Sequence, residues 1–199
     1  MGNLASTLWN LNRLQETEQL ERKVMEVTVK VRGGEHPLAL TAMGNLASTY
    51  RSQRRWSEAE ELEVRVVKAS LRVLGEEHPD TLSSMGNLSA TYRNQGRWDE
   101  AESLELQVLE TSKRVLGEDH PETLTSKGSL ATLYRNQCRW TMAASLDAEV
   151  LEARKRVLGE GHPHTLSSMA NLVLAWKGQG RLEDALDLER KYLNLQLRD

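Results

Sequence analysis

Two rows of polar side chains carry the chemistry that this 199-residue sequence could perform. The first row holds four asparagines, with Ser129 in the remaining place: Asn3, Asn45, Asn87 and Asn171. The second row lies six residues further along and holds four cations: Arg51, Arg93, Arg135 and Lys177. A side-chain amide both donates and accepts hydrogen bonds, whereas guanidinium and ammonium groups attract carboxylates. The two rows therefore favour binding of a polar or acidic ligand.

A third row contains one carboxylate at each recurrence: Glu21, Glu63, Glu105, Asp147 and Glu189. Its members are 42 residues apart and are not paired for acid–base catalysis. We therefore expect them to form structural salt bridges. An alternative interpretation of the cations follows, in which they belong to a solvated polar face and pair with these carboxylates. If Arg93 and Glu105 neutralise one another, the expected preference for acidic ligands weakens.

Patterns typical of enzymes are not found in the sequence. It contains no nucleophile elbow and no glycine-rich phosphate loop. Four histidines recur one repeat apart, too far to share one ion, and we interpret them as linker residues that help to cap the following helix: His36, His78, His120 and His162. We expect no catalytic residues, no cofactor and no metal site, and an enzyme stays only as a formal alternative.

The rows recur because the chain repeats one motif of 42 residues. The units are 1–42, 43–84, 85–126, 127–168 and the shorter 169–199, and the second and third units are identical at 27 of 42 positions. Such identity indicates tandem duplication of one structural unit. We therefore expect a single repeat domain, 1–199. Since Met1 aligns with Met43, inside a unit, we also expect the chain to be a segment of a longer array.

Each unit has the apolar periodicity of two amphipathic helices. Pro79 suits the first turn of a first helix of about seventeen residues, and Gly96 lies in the turn that follows. The second helix, of about nineteen residues, is expected from Trp98 to Gly117. Small residues mark the close approach of the two helices: Ala5, Ala47, Ala59, Ser89, Ala101, Ala131, Ala143 and Ala185. The predicted fold is all-α, a right-handed superhelical solenoid of about five antiparallel helical hairpins.

The spacing of Leu88-Ser89, Tyr92, Gln95-Gly96, Trp98, Glu100-Ala101 and Leu104 resembles the tetratricopeptide repeat. The 42-residue unit and its linker, Val115 to Pro121, resemble the kinesin-light-chain subclass, and the near-identity of the units is similar to C-terminal arrays of fungal nucleotide-binding, immune-receptor-like proteins. The resemblance implies that the first helices line a concave groove. It also implies that the asparagine row holds the backbone of a bound peptide.

These observations predict a non-enzymatic module that binds a peptide or protein partner on its concave face, with acidic partners as one expected class. The alternative is a structural or self-associating role in a larger receptor-like protein. Leu193, Leu195 and Leu197 motivate that alternative, because the last helix carries leucines with no following unit to cover them.

Composition limits the class of partner and the location. With 26 basic and 29 acidic residues the net charge is −3, so we expect no nucleic-acid partner. The sequence has no apolar run long enough to cross a membrane and no signal peptide. A lone Cys138 cannot form a disulfide within the chain. We therefore expect a cytoplasmic protein without a membrane partner.

Overall fold

The computed structural model describes residues 13–197, and these residues form nine α-helices and no β-strand. The helices are α1 (Leu14–Arg32), α2 (Pro37–Ser52), α3 (Trp56–Val73), α4 (Pro79–Asn94), α5 (Trp98–Leu116), α6 (Pro121–Asn136), α7 (Trp140–Leu158), α8 (Pro163–Gly178) and α9 (Leu182–Gln196). Even-numbered helices are the first helices of the repeats and have 16 residues each. Odd-numbered helices are the second helices. The expected all-α class and the alternation of two helices per repeat are confirmed.

Each described first helix begins at a proline that follows a capping histidine. The ring Nδ1 of the histidine accepts a hydrogen bond of 3.1 to 3.2 Å from the backbone N–H two residues later, at His36, His78, His120 and His162. Proline at the first helical position loses no hydrogen bond, because that N–H has no partner within the helix. The capping role expected for the histidines is confirmed.

The turn inside each hairpin requires a residue in the left-handed region. Gly96 and Gly180 occupy this position with φ of 77° and 79°, and Arg54 and Cys138 occupy it with φ of 59° and 57°. A residue with a Cβ atom is disfavoured there by about 1–2 kcal/mol. Cys138 is therefore a substituted turn residue, as the sequence predicts, and its thiol is exposed.

The small residues lie where the two helices of a hairpin meet. Ala47 and Ala59 are fully buried in α2 and α3, and Ala143 is fully buried in α7. In the next hairpin Oγ of Ser89 donates a hydrogen bond of 3.1 Å to the backbone carbonyl of Ala101. Larger side chains at these positions would overpack the hairpin.

The chain divides into two compact units, unit 1 (Met1–Leu104) and unit 2 (Glu105–Asp199). In unit 1, Met43 and Leu46 of α2 join Leu62 of α3 in a buried cluster against which Met25 of α1 packs. In unit 2, α7 packs against both α6 and α8, and α8 packs against α9. Each unit therefore has its own core, and the single domain expected over 1–199 stays a prediction.

Candidate functional site

The described members of the asparagine row lie on the first helices, and their exposure differs between the units. Asn45 of α2 and Asn87 of α4 are exposed, whereas Asn171 of α8 and Ser129 of α6 are half-buried. Asn3 lies outside the described residues. In unit 1 the row therefore presents amide groups at the surface of two successive first helices.

Arg51 connects these two helices through its guanidinium group. Its Nη2 donates to Oδ1 of Asn87 at 3.2 Å, and its Nη1 donates to the backbone carbonyl of the same residue at 3.2 Å. Its Nε lies 3.4 Å from Oε1 of Glu63 on α3. The asparagine and cation rows thus meet. The side-chain carbonyl of Asn87 is engaged, and its NH₂ group remains as the donor.

A groove of about 370 Å³ lies between α2 and α4, with α3 beneath. Its lining is largely of small and polar side chains and includes Asn45, Ser48, Arg51, Val66, Ser70, Ser83 and Asn87. We name it the first-helix groove. Three of the predicted site residues, Asn45, Arg51 and Asn87, are therefore brought together around one space.

One corresponding position of unit 2, on α7, holds an arginine. Arg154 of α7 stands where α3 has Ser70, two repeats earlier. Its Nη1 donates to Oγ of Ser168 at 2.9 Å and to the backbone carbonyl of His164 at 3.2 Å. Ser168 corresponds in the repeat to Ser84, which lines the first-helix groove. Burial lowers the pKa of Arg154. The arginine side chain thus occupies space that Ser70 leaves open.

The remaining members of the cation row pair with carboxylates or are otherwise engaged. Arg135 of α6 forms an ion pair with Asp147 and donates to Oγ1 of Thr132 at 2.7 Å. Lys177 lies 2.9 Å from Glu189. Arg93, at the matching position of α4, is half-buried and is not a free cation.

These pairs confirm the structural salt bridging expected for three carboxylates of the third row, Glu63, Asp147 and Glu189. Glu21 instead accepts a hydrogen bond of 2.6 Å from Thr49. Because the cations are already paired, the expected preference for acidic ligands weakens.

Glu63 is the most perturbed titratable group beside the groove. Burial raises the pKa of Glu63 to about 7, although the hydrogen bond from Thr91 and the charge of Arg51 act in the opposite direction. The Thr91 hydroxyl donates to its Oε2 at 2.6 Å. Burial also raises the pKa of Asp147 in unit 2 against the effect of Arg135. Protonation of Glu63 near neutral pH therefore removes the negative charge beside Arg51.

Sequence reasoning missed the residue pair Ser70 and Arg154. The repeat register contained the signal, because this position reads Thr28, Ser70, Ser112 and Arg154 in the four repeats before the last, which has Gln196. One large cation in a row of small hydroxyl residues marks a change in the space beside the first helices. Its hydrogen bonds to the next first helix depend on packing, which the alignment does not describe.

Two further observations concern metals and membranes. Across residues 13–197 no group of three or more His, Cys, Asp and Glu side chains is placed to hold a metal ion. The rings of His162 and His164 have centroids 5.3 Å apart, and His162 caps α8. No helix in the same range is both long and apolar enough to cross a bilayer.

Models of protein families match almost the entire chain. One model described as tetratricopeptide repeat matches residues 1–38, 39–80 and 81–122, and a second with the same description matches residues 127–198. Among curated protein sequences, none matches this chain with significance.

Solved structures with the same arrangement of helices include two crystal structures of kinesin-light-chain-like, nearly identical TPR-like repeats from Podosopora anserina. Both are 28% identical to this chain, with TM-scores of 0.86 and 0.84, and the alignments cover 98% of this chain and 92% and 93% of those chains. BtubC (BKLC) from P. vanneervenii is 20% identical with a TM-score of 0.83, over 98% of this chain and 78% of that chain. The expected solenoid fold class is confirmed.

Proposed function

Because this chain belongs to the tetratricopeptide-repeat family, we propose that it is a non-enzymatic, cytoplasmic interaction module whose first-helix groove holds an extended peptide segment of a partner protein. Repeats of this family are generally protein–protein interaction scaffolds. One observation carries the proposal: polar side chains predicted for peptide capture line an open groove of about 370 Å³ in unit 1. This volume lies within the range of about 300–1,000 Å³ typical of ligand sites.

The chemistry of the groove suits the backbone of a peptide. The Asn87 carbonyl accepts from Arg51, so its NH₂ group is left to donate to a peptide carbonyl. Asn45 is exposed at the same register position of α2. Hydrogen bonds to the peptide backbone do not depend on which side chains the peptide carries. Peptides of different sequence should therefore bind.

Acidic side chains are not the main determinant in this proposal. Arg51 shares its donors between Asn87 and Glu63, and Asp80 also lines the groove. The charge of Asp80, and that of Glu63 above its pKa of about 7, oppose the attraction of Arg51 for a negatively charged ligand. We therefore propose recognition of a peptide backbone, with acidic character as a secondary preference at most.

A peptide selection tests this proposal. Peptides are selected from a random display library on the wild-type chain, and their affinities are measured for the Asn45→Ala/Asn87→Ala variant. We expect affinity to fall about tenfold or more, as for loss of two hydrogen bonds. The control is Asn94→Ala/Asn194→Ala, which makes the same change at two exposed asparagines outside the groove. Equal affinity of the three proteins for every selected peptide would rule out the groove.

A second candidate function is self-association through α9. Its leucine stripe, defined as Leu182, Leu186, Leu193 and Leu197, has spacings of four, seven and four residues and is exposed by 49–84%. Such spacing places the four side chains on one face of a helix. Leu195, expected from the sequence to contribute, is half-buried. The counterpart of Leu193 in α7, Leu151, is only 2% exposed, so the repeat buries this position elsewhere.

Sedimentation velocity at increasing protein concentration tests this second candidate. We expect the wild-type mass to rise with concentration and Leu186→Glu/Leu193→Glu to remain monomeric, because charge on the stripe opposes its burial. The control is Leu174→Glu, at an exposed leucine of α8. A monomeric wild-type mass at every concentration would contradict self-association.

A further inference from the structure

A second cavity of unit 1, of about 780 Å³, lies between α3 and the loop that joins α1 to α2. We name it the loop pocket. Its charged or titratable lining residues are Arg32, Glu35, His36, Arg65, Lys68 and Arg72. Within the described residues it shares no lining residue with the first-helix groove.

The positive charges of the loop pocket exceed what its carboxylate can balance. Glu35 forms an ion pair with Arg72. Nη1 of Arg32 lies 3.4 Å from Nε2 of His36, a side chain that supplies no negative charge. In the part of the chain that the structure describes, Arg65 and Lys68 have no hydrogen bond or ion pair. Three cations are therefore left without a carboxylate partner around one cavity.

Two repeats later, unit 2 carries acidic residues at corresponding positions. Arg65 and Lys68 of α3 correspond to Glu149 and Glu152 of α7, and Gly34 in the loop corresponds to Glu118. The position of Arg32 also differs, since the other repeats have a leucine there: Leu74, Leu116 and Leu158. Three of these residues, Arg32, Gly34 and Lys68, differ from every other repeat in the direction of more positive charge, whereas the row of Arg65 also holds Lys23 and Lys191. All four residues line the loop pocket.

Comparison of the loop pocket with the corresponding residues of unit 2 distinguishes structural ion pairs from additional cations. Arg156 pairs with Asp119 at 2.6 Å, as Arg72 pairs with Glu35. The ammonium group of Lys127 lies 2.9 Å from Glu118, so a lysine of unit 2 itself balances the negative charge at this position. The loop-to-helix ion pair therefore recurs in both units, and Arg32, Arg65 and Lys68 are additions to it.

These additions match the chemistry of phosphate. A guanidinium group binds phosphate oxygens with two parallel hydrogen bonds, and an ammonium group adds a compact charge. We propose that the loop pocket binds the phosphate group of a phosphorylated ligand through Arg32, Arg65 and Lys68. The volume of about 780 Å³ lies within the range typical of ligand sites, so the pocket has room for a phosphate together with the group that carries it. This site is independent of peptide binding in the first-helix groove.

Titration calorimetry with inorganic pyrophosphate, a phosphoserine peptide and its unphosphorylated form tests the proposal. We expect pyrophosphate or the phosphoserine peptide to bind the wild type, and Arg65→Gln/Lys68→Gln to weaken that binding about tenfold or more. Arg32→Leu, which installs the residue of the other repeats, should also weaken it. The control is Arg190→Gln/Lys191→Gln, which makes the same change of charge on α9, and it should bind as the wild type does.

The three ligands distinguish the sources of phosphate. Binding of pyrophosphate alone indicates a small phosphorylated compound, and tighter binding of the phosphoserine peptide than of its unphosphorylated form indicates a modified protein; both support the proposal. It is overturned if neither phosphate ligand binds, if both double variants lose affinity equally, or if a triglutamate peptide binds as tightly as the phosphate ligands. Unfolding midpoints of the variants verify that each remains folded.

Discussion

Units 1 and 2 have the same helices, caps and turns, yet they use corresponding positions for different purposes. In α3 of unit 1, the small Ser70 lines an open groove together with Asn45 and Asn87. In α7 of unit 2, Arg154 stands at the corresponding position and donates a hydrogen bond to Ser168 of α8. The fold accommodates either residue, because neither one forms the cap, the turn or the contact within the hairpin. Binding in this array is therefore expected where the sequence departs from its repeat.

The buried carboxylates show the same contrast. In unit 1, threonines of the following first helix donate to Glu21 and Glu63. The corresponding positions of unit 2 hold Leu133 and Ala175. Asp147 accepts a hydrogen bond from Arg135 of its own hairpin, whereas Arg51 lies 3.4 Å from Glu63 and donates its hydrogen bonds to Asn87. A neutral donor compensates burial of a negative charge less than a cation does. Unit 1 is thus expected to respond more strongly to pH.

The largest difference should appear in stability against pH. The pKa of Glu63 is raised from 4.5 to about 7, so the folded state binds this proton more tightly than the unfolded state. Stability is lost as pH rises from 4.5 through about 7, and recovered on acidification, by about 2–3 kcal/mol. Denaturant unfolding at pH 5 and pH 8 should show this loss in the wild type and not in Glu63→Gln.

The matching variant of unit 2 is Asp147→Asn. Burial raises the pKa of Asp147 also, but the charge and hydrogen bond of Arg135 oppose it. We expect a change of the same sign and smaller size. A change larger than that of Glu63→Gln would contradict the assigned difference between the units.

A smaller effect is expected when the donor to Glu63 is removed. Thr91→Val leaves the buried carboxylate without its 2.6 Å hydrogen bond and should destabilise the chain by about 2 kcal/mol at pH 8. The matched control is Thr81→Val on the same helix. Thr81 is equally buried, and its hydroxyl has no hydrogen-bond partner among the described residues. Equal unfolding midpoints of the two variants would refute a stabilising role for the Thr91 hydroxyl.

The smallest effect concerns the turns. Cys138→Gly should stabilise unit 2 by about 1 kcal/mol, because glycine adopts positive φ without the steric penalty that a Cβ atom brings. Gly96→Ala, at the corresponding turn of unit 1, should destabilise by a similar amount. Thermal unfolding of both variants measures the two shifts, which must have opposite signs.

The fold could be predicted from the sequence because each structural signal is written several times. The prolines, the capping histidines and the turn positions recur in register. The sequence therefore predicts helix starts at Pro79 and Trp98, and α4 and α5 begin at these residues. A signal repeated in this way identifies a local requirement that does not depend on the neighbouring repeat.

The candidate site could be predicted only in part. The rows of the sequence alignment identify Asn45, Asn87 and Arg51 as candidate residues. The hydrogen bond between Arg51 and Asn87, however, joins residues that are 36 positions apart on two different helices. Whether a cation reaches a neighbour or its own hairpin depends on packing, as Arg51 and Arg135 illustrate. The loop pocket combines residues of a loop and a helix that no single row contains.

The most direct test of peptide binding in the first-helix groove exchanges one residue between the units. Ser70→Arg introduces the arginine of unit 2 into the groove, and Arg154→Ser makes the reverse change. Fluorescence anisotropy measures the affinity of one selected peptide, and circular dichroism verifies that each variant is helical. We predict that Ser70→Arg abolishes measurable binding and that Arg154→Ser retains it. Undiminished affinity of a folded Ser70→Arg variant would show that the peptide binds elsewhere.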